Sequence, residues 1–436
     1  MLISKSIADS LADQLSGAEG ELRVVSIPCQ VEPIDLVRAG AGLFDQAWYF
    51  STPNGRDMAG LGSAWRASGS GVDRLTKLGS QVARLPDGAR VMVGFSFAAD
   101  GPSTDVWGEF ESATAVLPVV SVRVDRAGPV LTVAVPAGSD GQDVLSTIRS
   151  IPGPTSVTSA DTTGFMLDSD PSPAAWREQV ADAVGSIGSG SFSKVVLART
   201  VTVEPQGAIR PFDLVAMLHR SQPDSFAFGR QRGSATFVGA SPELLVSRNG
   251  SEVRCLPLAG SAARSDDPAE DQRLGDGLLA SAKNRSEHDL VVEDIIQRLG
   301  PFSDQVEFAS TVLRKTVAVQ HLATDIRGRL SNAVSVLELA DALHPTPAVG
   351  GSPRPGALEY IEKVEDIDRG WYAGGIGWTD ASGDGEFAVA LRCALVRDGA
   401  ARLYAGAGIM AESDPETELM ETRLKFQPLL DLLASP

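Results

Sequence analysis

Two glutamates and a lysine near the C-terminus have the spacing of an ion-binding face. Ser413, Asp414 and Pro415 read as a helix start: Asp414 can cap, and Pro415 suits the first helical position. Glu418, Glu421 and Lys425 follow at i, i+3 and i+7. At about 100° per residue they fall within roughly 60° of one another, on one face. Two carboxylates one turn apart can share a hard divalent cation, and magnesium usually takes one or two carboxylates plus substrate oxygens and water. A lysine one turn further can bind the anion that the metal also holds. Spacing alone suits a solvated face with one i,i+4 Glu–Lys pair better.

The segment before that helix favours the ligand reading. Residues 403–409 (LYAGAGI) read as a strand whose Gly406 and Gly408 let a ligand approach the backbone closely. Upstream, residues 386–392 alternate strictly: Phe387, Val389 and Leu391 on one face, Ala388, Ala390 and Arg392 on the other. An arginine beside alanines suits a strand lining an anion pocket; Arg392 ending a strand in solvent fits as well.

Two glycine patterns mislead. Residues 188–195 look like the glycine-rich loop of a protein kinase, but the chain has neither HRD nor DFG. Residues 406–411 match GxGxxA, but Ser413, Asp414 and Pro415 intervene before the helix, and too little chain follows for a βαβ unit. There is no GxxxxGK[ST] loop and no HExxH.

The elements that must position these residues are partly legible. Residues 23–27, 47–50, 90–95 and 131–135 read as strands. Residues 174–187, 281–299, 333–343 and 415–433 read as helices; Leu290, Val291, Ile295 and Leu299 form the apolar stripe of the second. Strand runs outnumber helices, which gives an α+β fold with large, mostly antiparallel sheets. A Pro/Ser/Thr/Asp-rich stretch at about 152–173 is the best boundary between two halves of different character. The length of 436 residues would allow two or three domains at about 150 residues each.

Composition narrows the function. Hydrophobic residues make up 43%, enough for a sizeable core. A net charge of -18 disfavours nucleic acid or an anionic membrane as a main partner. It leaves a small anionic substrate open, since that feels only its pocket. Cys29, Cys255 and Cys393 are far apart and show no CxxC, so buried small hydrophobes are expected, not a disulfide framework or zinc site. The first residues lack an apolar signal core. No apolar run approaches the roughly 20 residues that span a bilayer. A cytoplasmic protein is the default expectation.

Nine strings occurring in order resemble the chorismate-utilising enzymes, and among them the isochorismate synthase type. They are FSKVVLAR (192–199), GASPELL (239–245), PLAGS (257–261), KNRSEH (283–288), VQHL (319–322), HPTPAVG (344–350), RGWYAG (369–374), GDGE (383–386) and the segment 405–425. They cover the chain from about residue 174 onward. Weaker matches at Trp48, at 93–97 and at 107–110 extend through the first half.

The resemblance implies a single large α+β domain over 1–436, with two mostly antiparallel sheets packed together and helices outside. Residues 1–170 would be its divergent first half and 171–436 the half bearing the motifs. The implied substrate is chorismate, a cyclohexadiene with two carboxylates and a C4 hydroxyl, and the implied cofactor is Mg2+ on the ring carboxylate. Glu287, Glu418 and Glu421 are implied as the magnesium shell. Tyr372, Arg392, Lys425 and the backbone around Gly406 and Gly408 are implied as the carboxylate clamp. Gly260, Ser261 and His321 would neighbour the ring, and so would Ala348, where anthranilate and salicylate synthases more often carry threonine.

Lys194 is implied as the general base that activates water, and Glu243 as the general acid that protonates the leaving oxygen. That chemistry needs an amine partly neutral near pH 7, roughly three units below its ordinary value, and a carboxyl partly protonated. Burial pushes both in the required direction. Ala259 stands where aminodeoxychorismate synthases often carry a lysine nucleophile, which argues against that reaction. The implied reaction uses no ammonia and so no glutaminase subunit, and a monomer is usual. A salicylate synthase or the amine-transferring subunit of anthranilate synthase is the alternative among enzymes, and an inactive ligand-binding homologue is the alternative outside them. The product would feed either menaquinone or siderophore synthesis.

Overall fold

The structure, a computed structural model, describes residues 2–15, 22–153, 156–157 and 165–434. Among these, strand pairing builds sheets of twelve, nine and three strands. The two large sheets interleave both halves of the chain. In the larger, Gln46–Phe50 pairs antiparallel with Phe226–Arg232. In the other, Arg90–Phe95 pairs antiparallel with Gly375–Asp380.

Burial explains this arrangement. One core cluster joins side chains of both large sheets, including Trp48 and Phe237 from the first and Phe95 and Phe387 from the second, with Trp107 and Trp371 between strands. A second cluster covers the opposite face of the larger sheet with helices. It takes Leu36 and Val37 from Pro33–Gly40, Leu214, Val215 and Leu218 from Pro211–Ser221, and Leu429 and Leu433 from Pro415–Ala434. Strands buried on both faces read as continuous apolar runs, as Arg90–Phe95 does. This is the α+β architecture expected, with helices outside the sheets.

The expected strands lie within Arg23–Pro28, Gln46–Phe50, Arg90–Phe95 and Gly128–Val135. The expected helices lie at Pro173–Gly188, Ala282–Leu299, Val336–Leu343 and Pro415–Ala434. The third starts later than expected because Ser335 caps it. The Ser335 hydroxyl accepts the Glu338 N–H, and the Glu338 carboxylate accepts the Ser335 N–H.

The strand expected over 386–392 is a correction: it ends at Val389. Arg392 has a left-handed φ of 48° in the turn before Cys393–Arg397, so it does not alternate with Ala388 and Ala390 on one strand face. The three-stranded sheet, Leu258–Ala263, Val312–Lys315 and Val319–Ala323, is additional to the two expected; its strands are too short to stand out as periodic runs. The boundary expected at 152–173 falls partly outside the described residues. Its described end is the strand Phe165–Asp170, which pairs with Lys194–Pro205. The three cysteines are free and buried. Among the described residues no helix is long and apolar enough to cross a membrane.

Candidate active site

The strand Lys194–Pro205 pairs antiparallel with Ala400–Ile409, placing Val196 opposite Gly408 and Ala198 opposite Gly406. Strand alternation sorts the side chains. Val195 and Leu197 pack beneath helices with Trp176, Ile361 and Leu419. Val196 faces the other way and lines a cavity with about 630 Å³ of free space, its solvent mouth included. The two glycines on the facing strand create room by what they lack. A Cβ on Gly408 would sit 2.2 Å from Glu287 Oε1 and 3.0 Å from Lys194 Cε. One on Gly406 would sit 2.8 Å from the Tyr372 hydroxyl.

Lys194 is 0% exposed and lies behind the cavity wall, beside Gly408. Its Nζ is 2.9 Å from Glu287 Oε1, an ion pair without aligned hydrogen-bond geometry, so the buried amine has charge compensation but no hydrogen-bond partner. Glu243 is 3% exposed and lines the cavity. Burial pushes its carboxyl up to about 8, against opposing pulls from Lys194, the Leu258 N–H, Lys425 and Arg392. Near neutral pH Glu243 therefore holds a proton it can donate.

Cations gather on another wall. Arg392 and Lys425 both line the cavity. Burial lowers the Arg392 guanidinium to about 10, with Glu421 opposing. The His321 ring sits between Gly260 and Arg392. Its Nδ1 is 3.1 Å from the Gly260 carbonyl, which can only accept, so Nδ1 carries the proton and Nε2 accepts from Arg392 at 3.1 Å. Burial, then Arg392 and Lys425, hold His321 well below its ordinary pKa, so the ring is neutral. Ser261 Oγ is 3.1 Å from the same Nδ1. Tyr372 stacks on Tyr404, ring centroids 5.3 Å apart, and burial raises its hydroxyl pKa.

The three glutamates expected as a magnesium shell are held in three separate ion pairs. Glu287 pairs with Lys194, Glu418 with Lys283 at 2.8 Å, and Glu421 with Lys425 at 2.5 Å. Among the described residues no group of three or more His, Cys, Asp or Glu side chains is placed to hold a metal ion. Like-charged carboxylates repel, and here each closes on the nearest ammonium instead. All three nonetheless act on one point: Glu418, Glu287 and Glu421 together outweigh the effect of burial and raise the Lys283 pKa. Burial and Glu421 push Glu418 upward, whereas Lys425 and Arg392 outweigh burial at Glu421 and lower it. Their carboxylate oxygens are donors of the kind magnesium takes, but the structure holds them apart in these pairs.

Of the residues singled out from sequence, Glu243, Gly260, Ser261, Glu287, His321, Ala348, Tyr372, Arg392, Gly406, Gly408, Glu421 and Lys425 all line the one cavity. Lys194 and Glu418 do not line it; Lys194 pairs with Glu287, which does, and Glu418 pairs with Lys283, which does not. Sequence reasoning missed Lys283, Val196 and Val349. The spacing of Lys283 to Glu287, one helical turn, was a usable signal for the first. Nothing local could mark the other two, which are ordinary apolar residues.

The family described as "Chorismate binding enzyme" matches residues 11–434. The salicylate biosynthesis isochorismate synthase of Pseudomonas aeruginosa is 37% identical over 440 residues, covering 94% of this chain and 90% of that protein. Isochorismate synthase MenF of Bacillus subtilis is 36% identical over 350 residues, covering 78% and 74%. The solved menaquinone-specific isochorismate synthase MenF of Escherichia coli superposes with a TM-score of 0.86 at 27% identity, covering 98% of this chain and 99% of that one. Anthranilate synthase component I of Streptococcus pneumoniae shares the fold, with a TM-score of 0.67 at 21% identity over 98% and 99%. Matched across nearly its whole length, and with its cations and carboxyls gathered on one cavity, this chain belongs to the chorismate binding enzymes.

Proposed function

We propose that this protein is an isochorismate synthase, an isomerase that converts chorismate to isochorismate with magnesium. The observation that carries the reading is the presence of both a buried amine, Lys194, and a buried carboxyl, Glu243, that keeps its proton to about pH 8, at a cavity with an arginine and a lysine in its wall. Relatives named as isochorismate synthases support the same reaction.

In this reading Arg392, Tyr372 and Lys425 hold the substrate carboxylates, and His321, Ser261, Gly260 and Ala348 bound the ring. Glu287, Glu421 and Glu418 would hold magnesium, which supplies positive charge for the ring carboxylate when bound. Lys194 takes a proton from water as its oxygen bonds to C2. Both ring double bonds shift, C1=C2 to C1=C6 and C5=C6 to C4=C5, as the C4–O bond breaks, and Glu243 delivers its proton to the departing hydroxyl. Lys194 needs a lone pair for this step, which the neighbouring Glu287 carboxylate opposes. No ammonia enters, so no glutaminase partner is required.

Incubation with chorismate, with and without magnesium, followed by chromatography tests the proposal. Isochorismate formed only with magnesium is the expected product. Stoichiometric pyruvate with salicylate would assign a different chorismate reaction.

A further inference from the structure

The Lys194–Pro205 strand has a gap along one edge. Gly351–Ser352 pairs with it at Lys194 and Val195, and Phe165–Asp170 pairs from Thr200 onward. Between them the backbone groups of Val196 and Ala198 point the same way. The Val196 N–H reaches the Gly350 carbonyl at 2.9 Å. The next two groups meet side chains instead of a strand. Arg369 donates to the Val196 carbonyl at 2.7 Å, and the Ala198 N–H donates to Glu365 Oε1 at 2.8 Å. Arg369 also donates to the Val349 carbonyl at 3.0 Å. The guanidinium and carboxylate close on each other at 2.7 and 2.5 Å, four residues apart in the irregular segment after the helix Arg354–Val364, with side chains 5% and 4% exposed. Arg369 lies over the Phe97 ring at 4.3 Å.

A buried ion pair thus completes a sheet edge that backbone leaves open. Stability is a weak reason for its presence, since apolar residues of similar volume often hold a fold as well as a buried ion pair does. Its geometry serves another end. A planar guanidinium offers several donors in fixed directions, which a lysine could not reproduce. It ties Val196, two residues from Lys194, to Val349, next to Ala348, and all but Lys194 line the cavity.

We infer that Glu365 and Arg369 are positioning residues: they set the register of the Lys194 strand against the Ala348–Val349 wall, and so the placement of Lys194 relative to the bound ring. This rests on the reading of Lys194 as the base. A displacement of about 1 Å from a change remote from the chemistry can cost roughly 100-fold in rate.

Two variants test it, each assayed for kcat, KM, melting temperature and amide exchange over residues 194–199. Glu365→Gln keeps an acceptor for the Ala198 N–H but loses the charge pair. Its kcat should fall about 10-fold with KM changed less than about 3-fold. The double variant Glu365→Leu with Arg369→Met should stay folded, lose about 100-fold in kcat, and exchange the Ala198 amide faster than wild type. Wild-type kcat in a folded double variant would overturn the inference. If the double variant does not fold, wild-type kcat in Glu365→Gln with a lowered melting temperature overturns it equally. Failure of the wild-type protein to consume chorismate would instead sink the base reading, and the amide exchange would still report whether the pair holds the strand.

Discussion

Glu243 holds its proton because the cavity wall excludes water around it, and that property has consequences at two levels. As a general acid it must be protonated, so turnover should fall as pH rises through about 8. Glu243→Gln should lower kcat by roughly 100- to 10,000-fold and abolish that alkaline limb. Stability follows the same group. Between the ordinary value of 4.5 and about 8 the folded chain holds a proton that the unfolded chain has lost. The folded state binds more protons there, so its stability falls as pH rises across that window. Glu243→Gln lacks this loss. Denaturant titrations from pH 5 to pH 8 should show the variant gaining on wild type; a constant difference would refute the raised pKa. Lys194 and Glu243 were legible only through motif resemblance, because no local spacing links residues so far apart in sequence. Lys283 was quoted in a motif and given no role: its spacing to Glu287 was legible, but its partner Glu418 lies 135 residues away.

Among the elements, the glycine-bearing strand Ala400–Ile409 decides what can sit beside Lys194. Gly408→Ala would press its Cβ on Glu287 Oε1, the end of a flexible side chain that can move aside. The fold should survive with little loss, while the displaced Glu287 and Lys194 lower kcat at least about 10-fold. Gly406→Ala meets the Leu197 carbonyl at 2.7 Å, backbone that cannot yield. That variant should lose about 1–3 kcal/mol of stability, as overpacking does. Thermal melts and rates for both check the contrast; equal effects on stability would contradict it. This strand could be read from sequence over residues 403–409, and the C-terminal helix with it. The end of the preceding strand at Val389 could not, because apolar alternation continues through Leu391 while the backbone turns at Arg392.

Across the whole molecule, the division of the chain into halves reflects sequence character more than folding. Strands from residues 46–50 and 90–95 pair with strands from 226–232 and 375–380. A fragment of residues 171–436 would leave those partners as open, apolar sheet edges, which invite aggregation. It should not melt cooperatively as a soluble species, and recovery of a cooperative transition from that fragment would support two independent units. The class of fold was legible from the balance of strand and helix runs. The interleaving was not, because strand pairing over such separations leaves no trace in local pattern. The central claim is that water, activated at Lys194, adds to C2 of chorismate. Turnover in 18O-labelled water, read by mass spectrometry of the product with wild type and Lys194→Ala, tests it most directly. The account predicts isochorismate carrying one solvent oxygen at C2 from wild type, and no product from a folded Lys194→Ala. Unlabelled isochorismate, or labelled product formed at the wild-type rate without Lys194, would contradict it.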